Sequence, residues 1–319
     1  MPNCVKLATD SGLVGAVQNP VYGSAGRARG ATRSYRGAAC TLRHLEVEWL
    51  ISGGQQEAGW LLESSRTCGR AEISTPGGLV SVKLAVSHPW DLPVKEAETL
   101  QARLAAQVVA RFKGKRNAIK TVAGVDVGFQ GDVARAAAVV LSFPGLEPLD
   151  FSLGEAPVTF PYRPGLLAFR EGPAVLAALD KLATWPDLFL FDAQGIAHPR
   201  RLGLAAHLGV LLDSPSVGCA KSRLTGCHDE PGKAMGDWVY LYSDKGAGKE
   251  VIGAVVRTKA GAQPLYVSVG HRVDLDTARD LVLRCVRGHR LPEPTRLAHD
   301  VASRAKLPAK PGKGQLSLF

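Results

Sequence analysis

TVAGVDVGF (121–129) and ARAAAVVLSF (134–143) decide the fold. Both runs are apolar and rich in Val and Ala, and Gly131-Asp132 between them supplies a tight turn, so they read as one strand pair. Working outward, PDLFLFD (186–192), PSVGCA (215–220), GDWVYLYS (236–243), VIGAVVRT (251–258) and QPLYVSVG (263–270) read as further strands. Helical spacing of apolar residues marks the segment that starts at Pro93 and continues through TLQARLAAQVVARF. It also marks LLAFREGPAVLAALDKLATW (166–185), HPRRLGLAAHLGVLLD (198–213) and a last helix from Asp274 to about Val286. Strands alternating with helices predict an α/β layered fold, and the adjacent early strands predict a mixed rather than a purely parallel sheet.

Composition narrows the function. Of 319 residues, 45% are apolar and 21% charged, enough to build a core. No apolar run approaches the ~18 residues a membrane-spanning helix needs, and MPNCVKLATDSGLVGAV lacks the pattern of a secretory signal. The six cysteines show no CxxC pair, which argues against a zinc ribbon or a disulfide framework and for a reducing cytoplasm. With 39 Lys and Arg against 29 Asp and Glu, the net charge of +10 points to a polyanionic partner, nucleic acid first. Residues 1–79 are rich in Gly, Ser, Ala and Arg without a sustained period, and read as a disordered or mis-annotated N-terminal extension, with the true start near Val80 or Val82. Residues 80–292 read as the catalytic domain and 293–319 as a flexible basic tail.

Three acids stand where strands and a helix end. Asp126 lies inside VAGVDVGF on one face with Gly124 and Gly128, Glu171 opens a helix, and Asp192 closes LFLFD. A carboxylate among strand residues is costly unless paired or bound to metal, and hard oxygen donors suit Mg²⁺ or Mn²⁺. A single such Asp is better read as a cap or an ion pair; three in strand, helix, strand order favour the metal. Pro161-Tyr162-Arg163-Pro164-Gly165 is a rigid turn with an aromatic tip, either a connection covering the core edge or a wedge that unstacks a base. His198, before Pro199, reads equally as a helix cap or a functional group, and Lys221 and Arg223 form a basic cluster.

In this order, VAGVDVGF, FPYRPGLLAFREGP, LFLFDAQGIAHPRRLGLAAHLGVLLDSPSVGCAKSRLTG and VSVGHRVDL resemble the endonuclease V (deoxyinosine 3′-endonuclease) family, over about residues 86–290. The resemblance implies a ribonuclease H-like fold with a central mixed β-sheet flanked by helices. It implies Mg²⁺-dependent cleavage, with Mn²⁺ as substitute, of deoxyinosine-containing DNA, double- or single-stranded. The cut would fall at the second phosphodiester bond 3′ to the lesion and leave 3′-hydroxyl and 5′-phosphate ends. Asp126, Glu171 and Asp192 then match metal-binding carboxylates, His271 a further residue at the metal centre, and Lys221 the active-site lysine. Pro161, Tyr162, Arg163 and Pro164 match the wedge; Gly165, Leu167, Ala193, Gly195 and His198 match positions around the flipped base. Two departures stand out: Arg163 replaces the usual Ile of the wedge, and Ala193-Gln194 replaces a common Gly-His, so that the Ala193 methyl would crowd the base pocket.

Two other readings remain open beside this one: a ribonuclease for inosine-containing RNA, and a non-catalytic nucleic-acid binder tethered to a clamp. The tether would be the last residues, Gln315-Leu316-Ser317-Leu318-Phe319, which resemble the short peptide by which bacterial repair proteins bind the sliding clamp. SRAKLPAKPGKG (303–314) would serve as the linker that raises effective concentration at DNA. GAGKE (246–250) lacks the spacing and the Ser/Thr of a nucleotide-binding loop.

Overall fold

A computed structural model describes residues 82–243 and 250–303, together with the strands at 4–9 and 12–18. The chain divides into two units, Met1–Gly77 and Gly78–Phe319. In the first, β1 (Cys4–Thr9) and β2 (Gly12–Gln18) pair antiparallel. The rest of the expected extension, GAGKE up to Lys249, and the clamp-like peptide 315–319 lie outside the described residues.

The second unit is built on one mixed sheet. Its strands are β3 (Thr121–Gln130), β4 (Val133–Ser142), β5 (Pro148–Pro157), β6 (Leu188–Phe191), β7 (Ser216–Ala220), β8 (Trp238–Tyr242), β9 (Val251–Val256) and β10 (Leu265–His271). They stand in the order β5-β4-β3-β6-β7-β10-β9-β8. The hairpin partners β3 and β4 are antiparallel throughout, while β3, β6 and β7 are mutually parallel. An antiparallel meander whose first strand is joined by two parallel strands through crossover helices is the ribonuclease H-like arrangement.

Helices α1 (Val94–Ala105), α2 (Leu167–Leu179), α3 (Leu204–Leu212), α4 (Leu275–Arg284) and α5 (Glu293–Ser303) complete the unit. Because strand side chains alternate, β3 sends Val125 to one face and Val122 to the other. Val125, Phe189 and Phe191 pack with Val175 of α2 and Leu208 of α3; Val122, Leu190 and Val217 pack with Leu281 of α4 and Val301 of α5.

Three differences from the sequence reading have physical causes. The helix predicted from His198 starts at Leu204, because Arg201 takes a left-handed backbone (φ 57°) and Gly203 becomes the N-cap. Residues 148–157 form β5, an edge strand that the sequence reading left out; its buried positions include the polar Ser152 and the small Gly154, while Leu149 is exposed, so hydrophobicity and burial do not coincide along it. Most consequential, the tail expected from 293 begins as a helix: Leu297, Ala298, Val301 and Ala302 repeat at helical spacing and are buried. The packed core of the second unit therefore includes residues past 292. Among the described residues, no helix is long and apolar enough to cross a membrane, and Cys219, Cys227 and Cys285 are free thiols.

Candidate active site

Parallel pairing of β3 and β6 ends with Val125 opposite Phe191, and the Asp192 amide donates to the Val125 carbonyl at 3.1 Å. Asp126 and Asp192 are therefore the next residues along two neighbouring strands, which lie ~4.8 Å apart, and both project to the α5 face. Each has an internal partner. Lys221, the residue after β7, sets Nζ on Asp192 Oδ2, and His299 of α5 donates from Nδ1 to Asp126 Oδ2 at 2.7 Å. Glu171 enters from α2 on the other side of the sheet and is buried.

The electrostatics reflect three acids in one low-dielectric place. Burial pushes the Glu171 carboxyl up to about 8, and the charges of Asp126 and Asp192 add to the shift against a smaller opposing effect of Arg170. Burial also raises Asp192, opposed by its hydrogen bond to Lys221. Among the described residues no group of three or more His, Cys, Asp or Glu side chains is placed so as to hold a metal ion. The chemistry of the donors fits a hard divalent cation: three carboxylates whose charges raise one another's cost, with Lys221 on Asp192 and His299 on Asp126.

Beside the acids, residues 161–164 form an exposed loop that ends at α2, with Tyr162 69% exposed at its tip. The loop is anchored at Gly165, whose φ of 82° only glycine adopts without strain. Its carbonyl accepts from His198 Nε2 (2.9 Å), Arg200 Nη2 (2.9 Å) and Gln101 Nε2 (3.0 Å). His198 Nδ1 in turn accepts from the Arg200 amide, and burial lowers the imidazole to about 4, so it stays neutral and acts as a strut under the wedge. Leu167 is the first residue of α2, directly behind the loop.

Ala193 and Gly195 lie in the turn after Asp192. Ala193 is buried, and the Gly195 amide donates to Ser268 Oγ at 2.8 Å. A Cβ at Gly195 would stand 2.0 Å from the Val269 carbonyl oxygen, so the close approach that excludes a side chain there is to β10. Gln194 donates to the Ser222 carbonyl and ties this turn to the basic segment after Lys221.

His271 requires a correction. Antiparallel β10 places Tyr266 opposite Ala220 but His271 opposite Ser216, at the other end of β7 from Lys221. There it accepts from the Val109 amide (3.2 Å) and donates to Asp213 (3.2 Å), which also pairs with Arg272. The histidine at the acids is His299, which the sequence reading missed because it assigned residues from 293 onward to a tail. The only local signal was the helical spacing of apolar residues between Glu293 and Ser303.

The family model for endonuclease V matches residues 102–300. Endonuclease V of Roseiflexus castenholzii is 49% identical over 227 residues, covering 71% of this chain and 100% of that protein. That of Trichormus variabilis is 52% identical over 218 residues, covering 68% and 96%. Among solved structures, endonuclease V from Streptomyces avermitilis is 42% identical with a TM-score of 0.64, covering 71% of this chain and 97% of that one. Ciona intestinalis endonuclease V, in complex with a 24mer DNA containing an inosine followed by a ribo-adenosine, is 25% identical with a TM-score of 0.54, covering 65% and 94%.

Proposed function

From the premise that this chain belongs to the endonuclease V family, and so is a nuclease, we propose that it incises DNA at deoxyinosine. The cut is hydrolysis of the second phosphodiester bond 3′ to the lesion, leaving 3′-hydroxyl and 5′-phosphate ends. The observation that carries this reading is the pair Asp126, in the middle of β3, and Asp192, the residue after β6, where the parallel pairing of the two strands stops, with Glu171 pushed up to about 8 by its burial and their charges. The Ciona relative's inosine-containing DNA supports the choice of lesion.

Asp126, Glu171 and Asp192 would hold Mg²⁺, with Mn²⁺ as a substitute. Such an ion would supply Lewis-acid chemistry, a lower pKa for a bound water and neutralisation of phosphate charge. The chain's own groups do the rest. Lys221, fixed on Asp192, offers a positive charge to the scissile phosphate, and His299 holds the Asp126 carboxylate in orientation. Tyr162 enters the stack as the hypoxanthine leaves it, a step that costs least at a weakly paired base. Arg163, Lys221 and Arg223, all exposed, hold the backbone without reading sequence. The wedge must stay rigid while the base turns out, which the three donors on the Gly165 carbonyl secure.

A second reading, cleavage of inosine-containing RNA, is favoured by one observation: the Ciona complex carries a ribo-adenosine directly after the inosine. A labelled oligonucleotide with one deoxyinosine, its ribo-adenosine version and an inosine RNA, each with Mg²⁺ or EDTA, separate the two. Metal-dependent nicking of the all-DNA strand is the expected result; cutting only where a 2′-hydroxyl follows the lesion selects RNA. A non-catalytic binder is disfavoured by the complete set of acids. We place the enzyme in the cytoplasm, held at DNA by Gln315–Phe319 on the sliding clamp. Deleting 315–319 should abolish clamp binding and leave cutting of short oligonucleotides intact.

A further inference from the structure

Gly124, Asp126 and Gly128 share one face of β3, and α5 lies along that face. The two glycines are not equivalent. A Cβ at Gly124 would stand 2.0 Å from the carbonyl carbon and oxygen of Pro294 and 2.4 Å from the Thr295 amide nitrogen. These are backbone atoms at the start of α5, which cannot rotate aside. A Cβ at Gly128 would meet only the Ala302 carbonyl oxygen, at 3.8 Å, an ordinary contact. The first turn of α5 thus rests directly on the β3 backbone at Gly124.

That seat is in register with the contact at Asp126. From Gly124 to Asp126 the strand rises ~6.6 Å, and from Pro294 to His299 the helix rises ~7.5 Å, so the two contacts lie along one line. The helix is fixed there on its apolar side by Leu297 and Val301, and Thr295 is fully buried with its hydroxyl donating to the Pro292 carbonyl at 3.0 Å. Raising the helix start by the thickness of one methyl group would draw Nδ1 out of the 2.7 Å hydrogen bond to Asp126.

We propose that Gly124 is a positioning residue: its missing side chain sets the height of α5 above β3 and thereby places His299 on Asp126. Gly124 acts through His299 and touches neither phosphate nor base. The proposal rests on the nuclease reading of the site, in which His299 orients an acid that the reaction needs.

The test uses the full-length chain with Gly124→Ala, Gly128→Ala, His299→Ala and the Gly124→Ala/His299→Ala double variant. Single-turnover cleavage of the deoxyinosine oligonucleotide, its dissociation constant, and the ¹⁵N shifts of the His299 imidazole are read in each. Gly124→Ala should slow cleavage to the His299→Ala level, about 10²-fold, with oligonucleotide affinity retained. The double variant should cut no more slowly than His299→Ala alone, and Gly128→Ala should cut like the wild type. The Nδ1 resonance of His299 should lose its hydrogen-bonded shift in Gly124→Ala. Wild-type cleavage by Gly124→Ala overturns the proposal, as does a double variant slowed by the product of the two single effects, which marks a general packing defect. If Gly124→Ala shows no cooperative melting transition, Leu297→Ala, which loosens the same helix, replaces it under the same non-additivity criterion. Should the wild type leave the oligonucleotide uncut, the lesion reading fails, while the His299 shift still decides whether Gly124 seats the helix.

Discussion

The neighbouring strands β3 and β6 and the helix α5 all contribute to one pair of acids, yet they announce themselves very differently along the chain. Asp126 in VAGVDVGF and Asp192 at the end of LFLFD are conspicuous because ionised groups among strand residues are costly without a partner. His299 sits in EPTRLAHDVAS, a run with no motif, and reaches Asp126 across 173 residues of sequence. Chemistry written into the pairing of neighbouring strands can be read locally. Chemistry delivered by the docking of a distant helix has to await the fold.

The sharpest way to break this comparison is to remove the acids. Asp126→Asn and Asp192→Asn should each lower cleavage of a deoxyinosine strand by ~10³-fold or more, because a cation's stabilisation of phosphate charge is worth several kcal/mol. Near-normal rates in either variant, measured under single turnover, would remove that acid from the chemistry. Next in size is the histidine pair. His299→Ala should cost about 10²-fold in rate through lost orientation of Asp126. His271→Ala should leave the rate nearly unchanged and lower stability by about 1–3 kcal/mol, since the Val109 amide and Asp213 lose a partner. The reverse pattern would restore His271 to the site.

What was legible follows the same division. Strand runs, the turn at Gly131-Asp132 and the order of the acids could be read because hydrophobic period and charge placement are local properties. Lys221 is assigned by resemblance, and its contact with Asp192 comes only from the fold, which sets the residue after β7 beside the residue after β6. Edge strand β5 could not be read, since it buries Ser152 and Gly154 and exposes Leu149, nor could the left-handed turn at Arg201 that shortens α3. The assignment of His271 rests on matching the VGHRVDL segment to the family, and a match of segments does not fix which end of a strand reaches the acids. Antiparallel pairing with β7 carries it to the end away from Lys221.

Glu171 sharpens the comparison through stability. Its folded pKa of about 8 lies above the ordinary 4.5, so the metal-free fold gains from this group below pH 4.5 and loses that gain as pH rises through about 8. Glu171→Gln carries no such charge. It should therefore melt several degrees higher than the wild type at pH 8.5 without metal, and the gap should close toward pH 5. Adding Mg²⁺ at pH 8.5 should narrow the gap by stabilising only the wild type, while the variant stays inactive. A melting difference independent of pH would mean that Glu171 is not held against its charge by the site.

The smallest effect belongs to Arg163, which stands in the wedge where its resemblance to the family leads one to expect Ile. The side chain is exposed, so Arg163→Ile should not change the melting temperature beyond a degree or so. If Arg163 contacts a phosphate, removing it releases one fewer counterion on binding. The slope of log affinity against log salt should then fall in magnitude by about 1, equally for lesion and undamaged strands. If instead the residue belongs to the wedge itself, the slope should stay fixed and the variant should gain affinity for the lesion strand alone, because an apolar tip fills an emptied stack better than a hydrated cation. Tyr162, at the exposed tip of the same loop, is the internal reference: Tyr162→Ala should weaken lesion binding without altering the slope. The salt titration therefore separates two jobs within one short loop, backbone grip and insertion, as the histidine variants separate the near and far ends of β7.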